Sequence, residues 1–474
     1  MTDLPPPPDA VPLGHRREVA PPVFVTGSIL RHILVMTGTG AVGLMAIFVG
    51  DLANIYFLSL SGDHAVVAAV GYASSILFFS TSIGIGLSIA AMALVSPALG
   101  AGLRARARRL SVHAHILTFL ISALLSIALW FAVEWLLTLI GATGEAHRLA
   151  TIYLKIMLPT LPMLALGMTS MSVLRSVGDA RRAMNVTLYG AVVNTILDAV
   201  LILYFDWGIM GAAIASVAAR IVVMAIGFYG VISVHDLMGR PKMATFAADA
   251  PAFSKIAFPA VLTNVATPAG NAYVTMALAA FGDSAVAGWA IIGRIIPVAF
   301  GAIYALSGSV GPIIGQNFGA RQVERMREAY TVSLIVMTAF TAVAWLVMAV
   351  FAEPLASAFK ADGEARQLIV YFCRWLSPLF VFLGALFVAN AVFNTLGRAH
   401  YSTAFNWARA TVGTIPFVMV GGEIAGANGV LAGNMIGGVV FGVVAVAAGY
   451  RLIESFGAAF KSAENKVDRD VLRI

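Results

Sequence analysis

The chain has 474 residues, of which 60% are hydrophobic and 11% charged, with a formal net charge of +7. A soluble domain carries about 25% charged residues, and a water-facing surface cannot be assembled from so few. These proportions exclude a soluble enzyme, a disordered chain and a coiled coil, and they point to an all-α polytopic membrane protein.

The N-terminal lead is polar and holds Pro5, Pro6, Pro7 and Pro8, then Arg16 and Arg17. It has no short apolar stretch followed by a small-residue cleavage site, so it is expected as a disordered cytoplasmic segment over 1–28 rather than a signal peptide. Apolar segments long enough to cross a bilayer follow at 33–58, 66–99, 111–140, 149–174, 183–205, 208–233, 252–281, 285–314, 328–351, 367–396, 401–421 and 428–450. This predicts about twelve transmembrane helices.

Charge alternates between the connections. Arg104, Arg106, Arg108 and Arg109 crowd one loop, Arg175, Arg181 and Arg182 the next but one, then Arg240, Lys242 and Lys255, then Arg321, Arg325 and Arg327. Loops 59–65, 204–208, 282–284 and 422–427 hold no Lys or Arg. By the positive-inside rule the basic loops and both termini are expected in the cytoplasm.

The chain repeats itself. Gly62-Asp63-His64-Ala65-Val66 returns as Gly282-Asp283-Ser284-Ala285-Val286, and Gly100-Ala101 as Gly319-Ala320. Leu174-Arg175-Ser176-Val177-Gly178 corresponds to Phe393-Asn394-Thr395-Leu396-Gly397, and Gly208-Ile209-Met210-Gly211-Ala212 to Gly426-Ala427-Asn428-Gly429-Val430. All four pairs lie 218 to 220 residues apart, and ordered matches at one offset mark an internal duplication. The predicted organisation is an N-lobe over 29–240 and a C-lobe over 241–455, each of six helices, followed by a cytoplasmic tail over 456–474. An even helix number per repeat places the pseudo-twofold axis along the membrane normal, a plan typical of alternating-access transporters.

A charge at the bilayer centre costs about 2.5–3.5 kcal/mol or more and is functional by default. Asp51 lies deep in the first helix and Asp198 in the fifth, with Asn194 one turn before it on the same face. Arg220, Arg294 and Arg409 are the intramembrane cations, while Glu134 and Lys155 lie nearer helix ends. The repeat maps Asp51 onto Asn271, Asn194 onto Gly413 and Asp198 onto Phe417. The acids therefore belong to one lobe, which points to a cation or proton site there. The competing reading is an Asp51–Arg220 ion pair that fixes helix packing. Arg294 is left open between a substrate or gating role and a backbone-paired one. Two nearby carboxylates in low dielectric can share a proton or bind Na⁺, and neutralising them can bias which side a cavity faces.

Gly50-Asp51, Gly84-Ile85-Gly86, Gly100-Ala101-Gly102, Gly178-Asp179, Asn194-Thr195-Ile196-Leu197-Asp198, Gly211-Ala212-Ala213-Ile214-Ala215-Ser216 and Gly315-Gln316-Asn317-Phe318-Gly319-Ala320, in this order, resemble the multidrug and toxic compound extrusion (MATE) family. The resemblance spans about residues 30 to 450. It implies two six-helix bundles forming a V in a bacterial inner membrane. It also implies export of amphipathic, often cationic, organic compounds against Na⁺ or H⁺, with no cofactor beyond that ion. In the branch with acids in the N-lobe only, it implies Asp51, Asn194, Asp198 and Ser216 as the coupling ligands. Ser216 stands where the family usually has Thr, and the hydroxyl is kept. Family members often carry a proline in the first helix; here that helix has Thr37-Gly38-Thr39-Gly40 instead, while Pro259 and Pro268 lie in the seventh.

The alternative function is a flippase for lipid-linked precursors, which should line its cavity with Arg and Lys; here such residues are few and scattered. An enzyme is not expected. His15, His32, His64, His113, His115, His147, His235 and His400 lie near predicted helix ends or loops and form no zinc motif, and there is no phosphate-binding Gly-rich loop with Lys. The lone cysteine, Cys373, lies in an apolar run and is expected to be inert packing. The expected partners are small organic substrates and the bilayer, with the chain a monomer and no nucleic acid bound.

Overall fold

A computed structural model describes residues 22–59, 64–241 and 243–471; residues 1–21 of the lead lie outside them, while 22–28, expected as disordered, instead hold a 3₁₀ turn at Val23–Val25 with Phe24 buried. The described chain is helical throughout, as it must be where no water can satisfy backbone groups. The first four helices are α1 (Ile29–Ser59), α2 (His64–Gly100), α3 (Arg104–Leu139) and α4 (Gly144–Val177). They are followed by α5 (Ala180–Tyr204) and α6 (Gly208–Val234). α7 is Met243–Ala279. α8 is bent by 51° where Asp283–Ala299 meets Gly301–Gly319. α9 (Val323–Val350) and α10 (Gly363–Thr395) follow.

Ala399–Ser462 is continuous by hydrogen bonding but folds back on itself. The backbone leaves helical geometry at Ala425 and Gly426, the latter at φ 60°. Gly421 then faces Gly429, and Gly413 faces Gly437, with no room for a methyl between them. These are two helices, α11 (399–424) and α12 (427–471). Among the described residues nine helices are long and apolar enough to cross a membrane. The bent α8, the hairpin of α11 and α12, and the proline-bearing α7 bring the spans to twelve in two lobes. α12 continues well past residue 450, so the expected tail is helical through Val471.

The duplication seen in sequence is present in the backbone. α4 is broken by a 3₁₀ turn at Leu158–Thr160 and α10 by one at Ser377–Leu379, each holding a proline, Pro159 and Pro378. A proline removes a helix hydrogen bond, and in lipid the freed carbonyls must find other donors. Arg220 Nη1 and Ser126 Oγ supply them in the N-lobe, at 2.8 Å to Met157 O and 2.6 Å to Leu158 O. In the C-lobe, Trp345 Nε1 donates at 2.9 Å to Arg374 O, four residues before Pro378.

The lobes meet through reciprocal contacts. Gly100 at the end of α2 packs on the backbone of Gln316 in α8, and Gly319 of α8 packs on the backbone of Pro97 in α2. The two glycines are repeat mates, and so are the residues they pack on, as a twofold axis requires. Deeper along the seam Gly40 of α1 meets Ala305 of α8, and Gly86 of α2 meets Val261 of α7.

These contacts lie toward the end of the molecule that carries the arginine-rich loops. At this basic end Gln316 accepts from Phe24 N at 2.8 Å and donates to Ser176 O at 2.7 Å. Asn317 and Arg325 both donate to Phe24 O, at 3.1 Å each. His113 of α3, expected near a helix end, is buried instead and pairs with Asp249 of α7 at 2.7 Å; Arg109 joins the same carboxylate at 3.0 Å. Asp179 accepts from His235 and Arg182. Burial alone would raise this carboxyl, but those bonds outweigh it and hold it well below the usual carboxylate range.

At Gly100 an added side chain would meet backbone, which cannot swing aside. Gly100→Val is predicted to destabilise the folded chain by about 1–3 kcal/mol through overpacking. The measurement is the thermal unfolding midpoint of purified protein in detergent; an unchanged midpoint contradicts the described seam.

Candidate functional site

The N-lobe acids come together where α1 lies on α5. Glycines set that approach: a methyl on Gly50 would stand 3.3 Å from Thr195 Oγ1, and Gly43 closes on Thr187. Asp198 is the last residue before α5 widens into a π-helical turn at Ala199–Tyr204. Such turns are rare and recur at functional sites.

Asp198 is wholly buried, at 0% exposure. Its Oδ2 accepts from Asn194 Nδ2 at 2.7 Å. Its Oδ1 has no hydrogen-bond partner among the described residues. The amide of Asn54 from α1 points to the carboxylate and stabilises its charge, but stands outside hydrogen-bond geometry, so Asp198 Oδ1 and Asn54 Nδ2 both lack a formed bond among the described residues. A buried carboxylate oxygen left unpaired costs about 1–3 kcal/mol or more and calls for an explanation. A proton on Asp198, or a small cation between the two helices, supplies one.

Asp51 lies three residues before Asn54 on α1, hence on the same helix face. It is exposed, makes no ion pair or hydrogen bond among the described residues, and lies close enough to Asp198 for their charges to interact. Ser216 of α6 makes no hydrogen bond to either carboxylate among the described residues; it pairs with the hydroxyl of Tyr153 from α4. That phenol is within electrostatic reach of Asp51, Asp198 and Arg220. The structure thus gathers Asp51, Asn194 and Asp198, with Ser216 joined through Tyr153. Among the described residues no group of three or more His, Cys, Asp or Glu side chains could hold a metal ion. The donor set is two carboxylates with amide and hydroxyl groups, which suits a proton or a hard monovalent cation.

Sequence reasoning missed Asn54 and Tyr153. Asn54 carried a signal, its i+3 spacing from Asp51; a lone tyrosine in α4 carried none. The Asp51–Arg220 pair does not form. Arg220 Nη1 donates to Met157 O and to Thr160 Oγ1, both at 2.8 Å, and so serves the break in α4. Arg294 is exposed and has no backbone partner among the described residues. Glu134 and Lys155 pair with each other at 2.7 Å on the surface. His115 is buried in α3, where its ring contacts Ser111 O at 2.7 Å and Ser170 Oγ at 3.0 Å. Cys373 is buried, as expected of a packing residue.

A family model described as MatE matches residues 30–200 and 259–420. The FAD transporter of Shewanella oneidensis is 29% identical over 91% of this chain and 96% of its own length. The multidrug export protein MepA of Staphylococcus saprophyticus is 22% identical over 90% of this chain and 95% of its own. Among solved structures, the Vibrio cholerae MATE transporter VcmN in its bent form superposes with a TM-score of 0.86 at 26% identity, covering 91% of this chain and 98% of that one. Both halves of the duplicated fold are therefore accounted for, and the chain belongs to the MATE family of multi-pass membrane transporters.

Proposed function

We propose that this chain is a secondary-active multidrug exporter that moves amphipathic organic compounds, many of them cationic, out of a bacterial cell against Na⁺ or H⁺. The observation that carries this reading is the unpaired Oδ1 of fully buried Asp198, with Asp51 and Asn54 brought to it by α1. The named relatives support an organic substrate, and the FAD transporter among them adds a flavin nucleotide to the substrates to be assayed.

α1 gives the site its leverage. It packs on α5 through Gly43 and Gly50, and on α8 through Gly40 against Ala305 and Met45 against Gly301. Asp51, Asn194, Asp198 and Ser216 are the proposed coupling residues, extended by Asn54 and Tyr153. When a cation neutralises the acids, α1 no longer carries an uncompensated charge past Asp198 and repacks. Any difference in cation affinity between two packings of α1 shifts their populations. Residues 29–240 and 241–455 would then rock as two lobes about the seam, giving alternating access. With the basic end and both termini in the cytoplasm of an inner-membrane protein, the closed seam at that end corresponds to an outward-facing state. α1 has no proline, so it moves as a whole helix or flexes at Gly38 and Gly40. A monomer suffices for this cycle, since both lobes lie in one chain.

Asp198→Asn is predicted to abolish gradient-driven efflux of ethidium and of flavin nucleotide from proteoliposomes, and Asp51→Asn to reduce it strongly. Imposing a Na⁺ gradient and a pH gradient separately identifies the driving ion. Normal efflux by both variants would show that the acids do not couple transport.

A packing role is distinguished by stability. Asp51 has no ion pair to lose, so Asp51→Asn is predicted to change unfolding free energy by less than about 0.5 kcal/mol. Arg220→Met strips a donor from the broken α4 and is predicted to cost about 1–3 kcal/mol. Thermal unfolding of the two purified variants checks the contrast; an equal loss in both would return Asp51 to a structural role.

A further inference from the structure

Arg409 is a buried charge of the C-lobe that, unlike Asp249 at the basic end, has no ion-pair partner among the described residues. It lies ten residues into α11 from Ala399, about 15 Å from the basic end at 1.5 Å per residue. It is only 8% exposed. A guanidinium has five N–H groups to satisfy. Here Nη2 donates to Thr267 Oγ1 of α7 at 3.1 Å, and Nε is buried with no partner among the described residues. Arg409 makes no ion pair with any described carboxylate. The titratable group within its electrostatic reach is the Tyr304 phenol of α8, which is neutral at physiological pH.

Backbone repair does not explain this arginine. Arg220 closes a break in α4, whereas the carbonyls at the turn after Arg409 are taken by Thr411, which donates to Trp407 O, and Thr414, which donates to Arg409 O. The repeat sharpens the contrast. α7 and α11 are the C-lobe counterparts of α1 and α5, the helices that bring Asp51 to Asp198. With Asp249 of α7 already paired at the basic end, the same pair of helices leaves unpaired acids in one lobe and a buried, underused cation in the other.

The surroundings fit an aromatic ligand. Tyr304 is partly exposed and packs against Phe387, with ring centroids 5.4 Å apart, and edge-on to Phe380 at 6.3 Å. Its neighbours Gly301 and Ala305 face α1 along the seam between lobes. Further along the same seam the Arg175 guanidinium lies against Gly308, with no hydrogen bond or ion pair among the described residues.

We propose that Arg409, Thr267 and Tyr304 form an anion subsite in the C-lobe for the phosphate of an aromatic, phosphate-bearing substrate. The guanidinium N–H groups not used on Thr267 donate to two phosphate oxygens side by side. Tyr304 and Phe387 take the substrate's ring, and Arg175 adds positive potential along the seam. This deepens the exporter reading and rests on it: the N-lobe acids hold the coupling cation and the C-lobe arginine holds the substrate's anion, so the two charges do not compete for one place.

The test is flavin fluorescence quenching on the purified full chain in detergent, comparing riboflavin 5′-phosphate with uncharged riboflavin. The wild type is expected to bind the phosphorylated flavin at least about tenfold more tightly, as suits a buried charge-assisted pair. Arg409→Gln should bring that ratio to about one with riboflavin binding retained, and Arg409→Lys should keep part of it, since the charge survives without the planar fork. A wild type with no preference for the phosphorylated flavin, including one that binds neither, overturns the subsite. So does Arg409→Gln with the wild-type ratio. If Arg409→Gln binds neither flavin, Arg409→Lys decides: a lowered ratio with riboflavin binding intact supports the subsite, and an unchanged ratio overturns it. Binding is read without any gradient, so its failure is distinct from a failure of Asp198-dependent efflux.

Discussion

The seam at the basic end is the contact on which the rest of the architecture depends. Gly100 on Gln316 and Gly319 on Pro97 are one interaction made twice about a pseudo-twofold axis, and only a missing side chain permits the backbones to come so close. In lipid there is no hydrophobic force between helices to hold two bundles together. Small residues that let backbones touch, with a few hydrogen bonds, do that work. Gln316 and Asn317 add those bonds by tying the segment before α1 to the end of α8. The same seam carries α1 along α8, and α1 carries Asp51 to Asp198.

The second constraint is that a membrane helix must satisfy every backbone group it breaks. Pro159 and Pro378 interrupt equivalent helices, and the nearby carbonyls are met by Arg220 and Ser126 in one lobe and Trp345 in the other. That rule separates the intramembrane charges by purpose. Arg220 is spent on the backbone. Asp198 Oδ1 and Arg409 Nε are not, and they occupy corresponding helices of opposite lobes with opposite sign. A duplicated fold that differs in sign between its halves can handle a cation and an organic anion in separate places.

Much of this was legible in the sequence, because the bilayer simplifies the code. Apolar runs long enough to span, loops alternating in arginine and a repeat near 219 residues located the spans and the two lobes. Intramembrane acids are rare enough for Asp51 and Asp198 to stand out, and the i, i+4 spacing attached Asn194. The rest depended on tertiary packing. Asn54 and Tyr153 reach the site only because α1 and α4 present those faces to it. Arg220 and Asp51 were equally plausible partners in one dimension, and only the break in α4 shows what the arginine serves. His113 was expected near a helix end, but its ring is buried against Asp249 of α7, a pairing 136 residues apart in sequence. The backbone reversal at Ala425 and Gly426 was legible only as a bare loop.

Whether Asp198 holds the coupling cation is tested by direct cation binding, without any transport step. Radioactive Na⁺ binding and proton uptake from weakly buffered solution would be measured on purified wild type and Asp198→Asn. The wild type is expected to take up one of these cations, and Asp198→Asn to lose that uptake while remaining folded. Uptake by Asp198→Asn equal to that of the wild type would contradict it.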